Sequence, residues 1–183
     1  RGDYETAMKI ADTIDWHRVR NASLLSMIAE IYEKNKEYQE AKDILLLAFE
    51  RAPIGKRLLY KLTDLALKEG NVAEAEAYYR EFCDLAQDDS RQYLLRYLIL
   101  KAKKAPLDQL IRALETYTAV EVDEKWLYEL AELYHKGGMG DQCVRTCDKI
   151  MLLFGLGKYV EKAMDLKLEY EPLNKYQMDL VEN

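Results

Sequence analysis

The sequence predicts an all-α chain of repeated helical hairpins, and three observations predict it. Ala7, Ala41, Ala75 and Cys143 fall on one 34-residue spacing, with Gln109 as the odd member of the column. Segments such as Leu25-x2-Ile28-Ala29-x2-Tyr32 place apolar residues on a single helical stripe at 3-4-3 spacing. Three prolines and eight glycines in 183 residues leave room for long uninterrupted helices. A period of this length makes each unit a supersecondary element that buries its apolar face only by stacking on its neighbours.

The elements follow in order. Gly2-Asp3-Tyr4-Glu5-Thr6-Ala7 is a variant of Lys36–Ala41 and Gly70–Ala75, with Gly138–Cys143 as a fourth copy. The chain therefore opens on the second helix of a hairpin, whose inward face, with Met8 and Ala11, lacks its own first helix. With Arg1 in first place, the expectation is a module cut from a longer protein. In residues 25–53, Ala29 and Ala41 are small where two helices cross, and Ala48 is small against the next unit. A leucine at such a contact overpacks it by about 1–3 kcal/mol. Lys42 is assigned to the outer face, and Pro53 ends the hairpin. Leu59, Leu62, Thr63 and Ala66 repeat the stripe in residues 59–87, as Leu127, Leu130, Ala131 and Tyr134 do in residues 127–155. Gly70 and Gly137–Gly138 supply left-handed helix ends.

Residues 93–121 break the pattern. The stretch RQYLLRYLILKAKK over 91–104 is apolar on several faces, and Pro106 stands where the turn belongs. Either Arg96 takes a position normally filled by Leu, or the register slips by one residue. A helix apolar all round is enclosed on more than one side. Beyond the last hairpin, Val160, Met164 and Leu168 mark one more amphipathic helix, and Pro172 introduces a polar tail. The expected organisation is one array over 1–170 and a tail or linker over 171–183.

Leu25, Ile28, Ala29, Tyr32, Ala41, Leu45, Ala48 and Pro53 lie on the pattern W-x2-L-G-x2-Y, then A-x3-F and a closing P. On these residues the chain resembles the tetratricopeptide repeat (TPR) family, and in particular repeat modules of large multidomain bacterial proteins. The resemblance implies a right-handed α-α superhelical solenoid of about five TPR-like hairpins, the first truncated. It also implies a concave groove lined by the first helix of each hairpin. The corresponding residues here are Ser26 and Glu30, Tyr60 and Asp64, Leu94 and Leu98, and Tyr128 and Glu132. Some members clamp a C-terminal carboxylate with Lys and Asn at such positions. Glu30, Asp64 and Glu132 replace the Asn here, and Ser26, Tyr60 and Tyr128 replace the Lys, which argues against that mode.

Catalytic and metal chemistry find little support. Cys143 and Cys147 stand one turn apart but occupy core-facing columns, and neither His17 nor His135 sits at ligand spacing. Gly155-Leu156-Gly157-Lys158 shares the end of a phosphate loop, yet lacks the upstream glycine and carries Tyr159 in place of Ser/Thr. No cofactor, metal or catalytic set is assigned. Three cysteines without framework spacing favour a reducing, cytoplasmic setting. No apolar run approaches the roughly 20 residues that span a bilayer.

The expected function is therefore protein–protein interaction through the groove, with a peptide, another domain or part of the parent chain as partner. Glu30–Lys34, Asp64–Lys68 and Glu132–Lys136 repeat an i,i+4 acid–base pair along it. The unit without that pair offers Leu94 and Leu98 edged by Arg91 and Lys101, with Tyr60 and Tyr128 on flanking helices. Aromatic and aliphatic side chains beside Arg suit a protein hot spot. The candidate binding residues are thus Tyr60, Asp64, Arg91, Leu94, Leu98, Lys101, Tyr128 and Glu132. Self-association through open end helices is the alternative. RNA binding by the cluster Arg91, Arg96, Lys101, Lys103 and Lys104 ranks last, against a net charge of −6.

Overall fold

The computed structural model describes residues 3–15, 21–51 and 55–182. Gly2, His17 and Pro53, with the readings placed on them, lie outside the described residues. The chain forms two compact units, residues 1–103 and 104–183. The division falls inside the irregular fourth repeat. Every regular element among the described residues is a helix.

The first unit holds α1 (Tyr4–Ala11), α2 (Ala22–Lys34), α3 (Tyr38–Arg51), α4 (Lys56–Glu69), α5 (Val72–Leu85) and α6 (Arg91–Ala102). Each helix packs on the next, and α6 packs on both α4 and α5. Asn21 caps α2 by accepting from the backbone N–H groups of Ser23 and Leu24, and Asn71 caps α5 by accepting from that of Glu74. The core joins the alanine columns to the stripes, with Leu25, Ile28, Ala29, Tyr32, Ala41, Leu45 and Ala48 all buried. Ala11 is buried in the same cluster and Met8 packs against it. Lys42 does not lie on an outer face. Its side chain is 3% exposed and its ammonium sits 2.6 Å from Glu69 and 2.9 Å from Glu74. The stripe of α3 correctly gave its own core face, but the α4–α5 turn brings two carboxylates over the residue beside it.

A 34-residue step from Lys56 and Val72 lands on Ser90 and Pro106, whereas the helices begin at Arg91 and Leu107. Arg96, on the column normally filled by Leu, is exposed, while Leu95 and Tyr97 on either side of it are fully buried. Proline holds the residue before it extended, and α7 starts at Leu107 directly after Pro106. Leu94, Leu95, Tyr97 and Ile99 are all buried, spread round α6 as an enclosed helix requires.

The turns keep the period throughout. Lys36, Gly70, Lys104 and Gly138 have φ of 63°, 86°, 56° and 70°, each 34 residues from the last. Gly137 is not left-handed, at φ −85°, so one glycine of that pair meets the turn's demand. A side chain in the left-handed region crowds the following carbonyl, a cost of about 1–2 kcal/mol per residue. Lys36→Gly is therefore expected to stabilise the protein by about 1 kcal/mol and Gly70→Ala to destabilise it by a similar amount. Denaturant midpoints check this. A loss on Lys36→Gly equal to that on Gly70→Ala would contradict the turn assignment.

The second unit holds α7 (Leu107–Val120), α8 (Glu124–Lys136), α9 (Gly140–Phe154), α10 (Lys158–Leu168) and α11 (Lys175–Glu182). Leu127, Leu130, Ala131 and Tyr134 are buried as the stripe requires. Cys143 and Cys147 are fully buried, and burial pushes both thiols up from their ordinary range. The glycines before Lys158 are helix boundaries: Gly155 ends α9 and Gly157 precedes α10.

Within the stretch expected as a tail or linker, residues 175–182 form α11. Its one buried residue is polar: Gln177 accepts from the Lys167 ammonium at 2.8 Å and donates to Asp148 at 2.6 Å. Lys167, 2% exposed, also reaches Asp148 at 2.7 Å. A buried ammonium with partners on two sides holds the last helix to α9 and α10 where an apolar stripe does not.

Candidate functional site

A cleft of about 720 Å3 opens on the first-helix side of unit 1. Helix α2 gives one wall through Ser23, Ser26, Glu30 and Lys34, and α4 gives the other through Arg57, Tyr60 and Lys61. Ala29, Leu45 and Leu58 contribute its apolar surface, and Arg91 stands at the start of α6. Successive residues one turn apart on a helix share a face, which is why Ser26 and Glu30 project together. A smaller hollow of about 320 Å3 is lined by Asp64, Leu67, Lys68, Leu98 and Lys101, with Lys68 common to both.

Ion pairs fix the walls. Glu33, whose side chain is 8% exposed, binds Lys61 at 2.5 Å and Lys68 at 2.6 Å, joining α2 to α4. Lys68 also closes its i,i+4 pair with Asp64 at 3.1 Å. Burial pushes the Glu33 carboxyl up, but the hydrogen bonds and charges of Lys61 and Lys68 outweigh it and hold the group below its usual range. Arg91 donates through Nε to Asp89 at 3.0 Å and through Nη2 at 2.7 Å. Its guanidinium lies 5.2 Å from the centre of the Tyr60 ring and 5.7 Å from that of Phe82. Lys56 adds a second cation 3.1 Å from Asp89. Hydrogen bonding from Arg91 holds the Asp89 carboxyl far below its usual range, against the opposing effect of burial.

Both depressed carboxyls stabilise the fold above their unfolded values, near 4, and that contribution is lost as pH falls through the folded values. Urea midpoints are expected to fall steeply below about pH 4, and Glu33→Gln to flatten that limb. Parallel curves for the two proteins would show that Glu33 is not held as described.

The candidate residues are distributed unevenly. Tyr60 and Arg91 line the larger cleft, while Asp64, Leu98 and Lys101 line the smaller hollow. Leu94 is 5% exposed and lines neither hollow among the described residues. Its helix is apolar on several faces, and the sequence pattern gave no means of telling inner from outer leucines there. Tyr128 and Glu132 stand on α8 in the second unit. The Tyr128 ring is half-buried, 6.1 Å from that of Tyr159, with the Lys162 ammonium 5.8 Å from its centre. Burial, with the charge of Glu132 adding, pushes the Tyr128 hydroxyl up to about 12. Glu132 is exposed. Glu33, Asp89 and Phe82, which set the cleft's geometry, were not found by sequence reasoning, because their partners sit on other helices.

Among the described residues no group of three or more His, Cys, Asp or Glu is placed to hold a metal ion. Nor is any described helix long and apolar enough to cross a membrane.

No family model matches the chain, and no curated protein matches it. Solved structures do, and they define its class: the chain has a tetratricopeptide-like repeat fold. A tetratricopeptide repeat protein from Parabacteroides merdae superposes with a TM-score of 0.66 at 17% identity, over 100% of this chain and 79% of its own. A thermophilic TPR protein from Thermus thermophilus gives 0.65 at 16% identity, over 100% and 92%. The APC/C hetero-tetramer Cut9–Hcn1 gives 0.64 at 13% identity, over 98% of this chain and 39% of that one.

Proposed function

We propose that the protein is a non-catalytic interaction scaffold whose first unit holds an extended protein segment in the α2–α4 cleft. The observation that carries this reading is the cleft itself: its walls are joined by ion pairs to the buried Glu33, and polar, aromatic and apolar residues line it together. Preorganised walls reduce the ordering cost of binding. A half-exposed Tyr60 stacked under Arg91 has the composition of an interface hot spot. The fold supports an interaction role, since structures of this class include a protein hetero-tetramer. The partner is a peptide segment or a domain, of another protein or of the parent chain. Three free cysteines, two of them buried, fit a reducing cytoplasmic setting.

The test is selection from a random-sequence peptide display library, followed by Ser26→Trp, which fills the cleft from its α2 wall. Enriched peptides are expected to lose binding to the filled variant. No enrichment, or binding indifferent to Ser26→Trp, would remove the cleft from consideration. Self-association keeps one observation in its favour, Ile10 on α1 at 62% exposed. A sedimentation coefficient that rises with concentration would favour it.

A further inference from the structure

The cleft's charge runs against that of the chain. Among the described residues Lys34, Arg57, Lys61, Lys68 and Arg91 line it against Glu30 and Glu33, in a protein of net charge −6. These cations are not equivalent. Glu33 engages Lys61 and Lys68, and Asp89 engages Arg91. Lys34 and Arg57 are exposed, one on each wall, and form no ion pair with another described residue. Ser23, Ser26, Ala29 and Leu58 line the same cleft.

Resting on the reading above, we infer that the segment held in this cleft is acidic and binds through internal Asp or Glu side chains, with Lys34 and Arg57 as the receiving cations. Carboxylates alternating with apolar side chains match a cleft that cations and apolar residues line together. A terminal carboxylate is not the feature recognised, because Glu30 and, in the adjoining hollow, Asp64 stand where such a group would need donors. The same two carboxylates oppose a continuous run of phosphates, which favours a peptide over RNA. Opposite charge across a rim acts on encounter and on selection among partners, and it weakens with salt.

The test uses the full chain and three fluorescent probes: a short amidated peptide alternating Glu and Leu, its Lys–Leu counterpart, and single-stranded oligouridylate. Anisotropy is expected to show the Glu–Leu peptide bound about tenfold or more tighter than the Lys–Leu peptide, with affinity falling as salt rises. The double reversal Lys34→Glu/Arg57→Glu is expected to cost about tenfold or more in that affinity and to admit the Lys–Leu peptide. Both sites are exposed, and circular dichroism checks that the fold survives. Equal or tighter binding of the Lys–Leu peptide, an unchanged affinity in the reversed protein, dependence on a free C-terminal carboxylate, or preference for oligouridylate would each overturn the inference. Peptides from the display selection that respond to Ser26→Trp yet are neutral or basic would overturn it while leaving the scaffold reading intact.

Discussion

Phe82→Ala is expected to lower the stability of the first unit by about 3–5 kcal/mol, the range for deleting a buried aromatic ring. Phe82 is fully buried among Leu59, Ala86 and Leu95, at the point where α4, α5 and α6 meet. Two consequences follow from one truncation. The cavity removes contacts that all three helices share. It also takes away a ring 5.7 Å from the Arg91 guanidinium and 6.2 Å from the Tyr60 ring, so the cleft's aromatic edge loses its backing. Affinity for cleft peptides should therefore fall along with stability. Phe82→Leu, which keeps most of the volume, should cost far less in both. Denaturant titrations of the two variants decide this. Equal small losses would mean that α6 is not packed on α4 and α5 as described.

Lys42→Met is expected to destabilise by about 2–3 kcal/mol. Breaking a buried ion pair from one side typically costs about 3–5 kcal/mol, but here Glu69 and Glu74 retain 23% and 28% of their surface in water, which softens the penalty. The neighbouring Ala41→Leu is expected to cost about 1–3 kcal/mol by overpacking. Adjacent residues on α3 thus fail for different reasons, one of volume and one of charge. Salt separates them: the Lys42→Met deficit should shrink as ionic strength rises, and the Ala41→Leu deficit should not.

Much of this architecture was legible because its rules are local and periodic. Ala29, Ala41 and Ala48 are small at helix crossings that recur every repeat, and Cys143 fills the same kind of place in the second unit. The left-handed turn column was half visible, since Gly70 and Gly138 announce it while Lys36 and Lys104 occupy the same conformation without a signal in residue type. Contacts between hairpins were not legible. Lys42 meets Glu69 and Glu74, and Glu33 meets Lys61 and Lys68, at separations that no single-helix pattern contains. Leu94 is buried on a helix whose apolar residues spread over several faces, so the stripe did not tell its inner from its outer leucines. The last helix was missed because α11 turns Tyr176, Met178 and Val181 to solvent and buries Gln177, the reverse of an apolar stripe. Tyr60 lies on a groove column of the repeat and Arg91 was chosen as a neighbour of Leu94, and both line the α2–α4 cleft.

The claim that unit 1 receives a protein segment between α2 and α4 is tested most directly by amide and side-chain NMR shifts on titration with a cleft-selected peptide. The account predicts that the largest shifts fall on Ser26, Glu30, Arg57, Tyr60 and Lys61, with the solvent faces of α3 and α5 unmoved. Shifts centred on α3 and α5, or confined to residues 104–183, would contradict it.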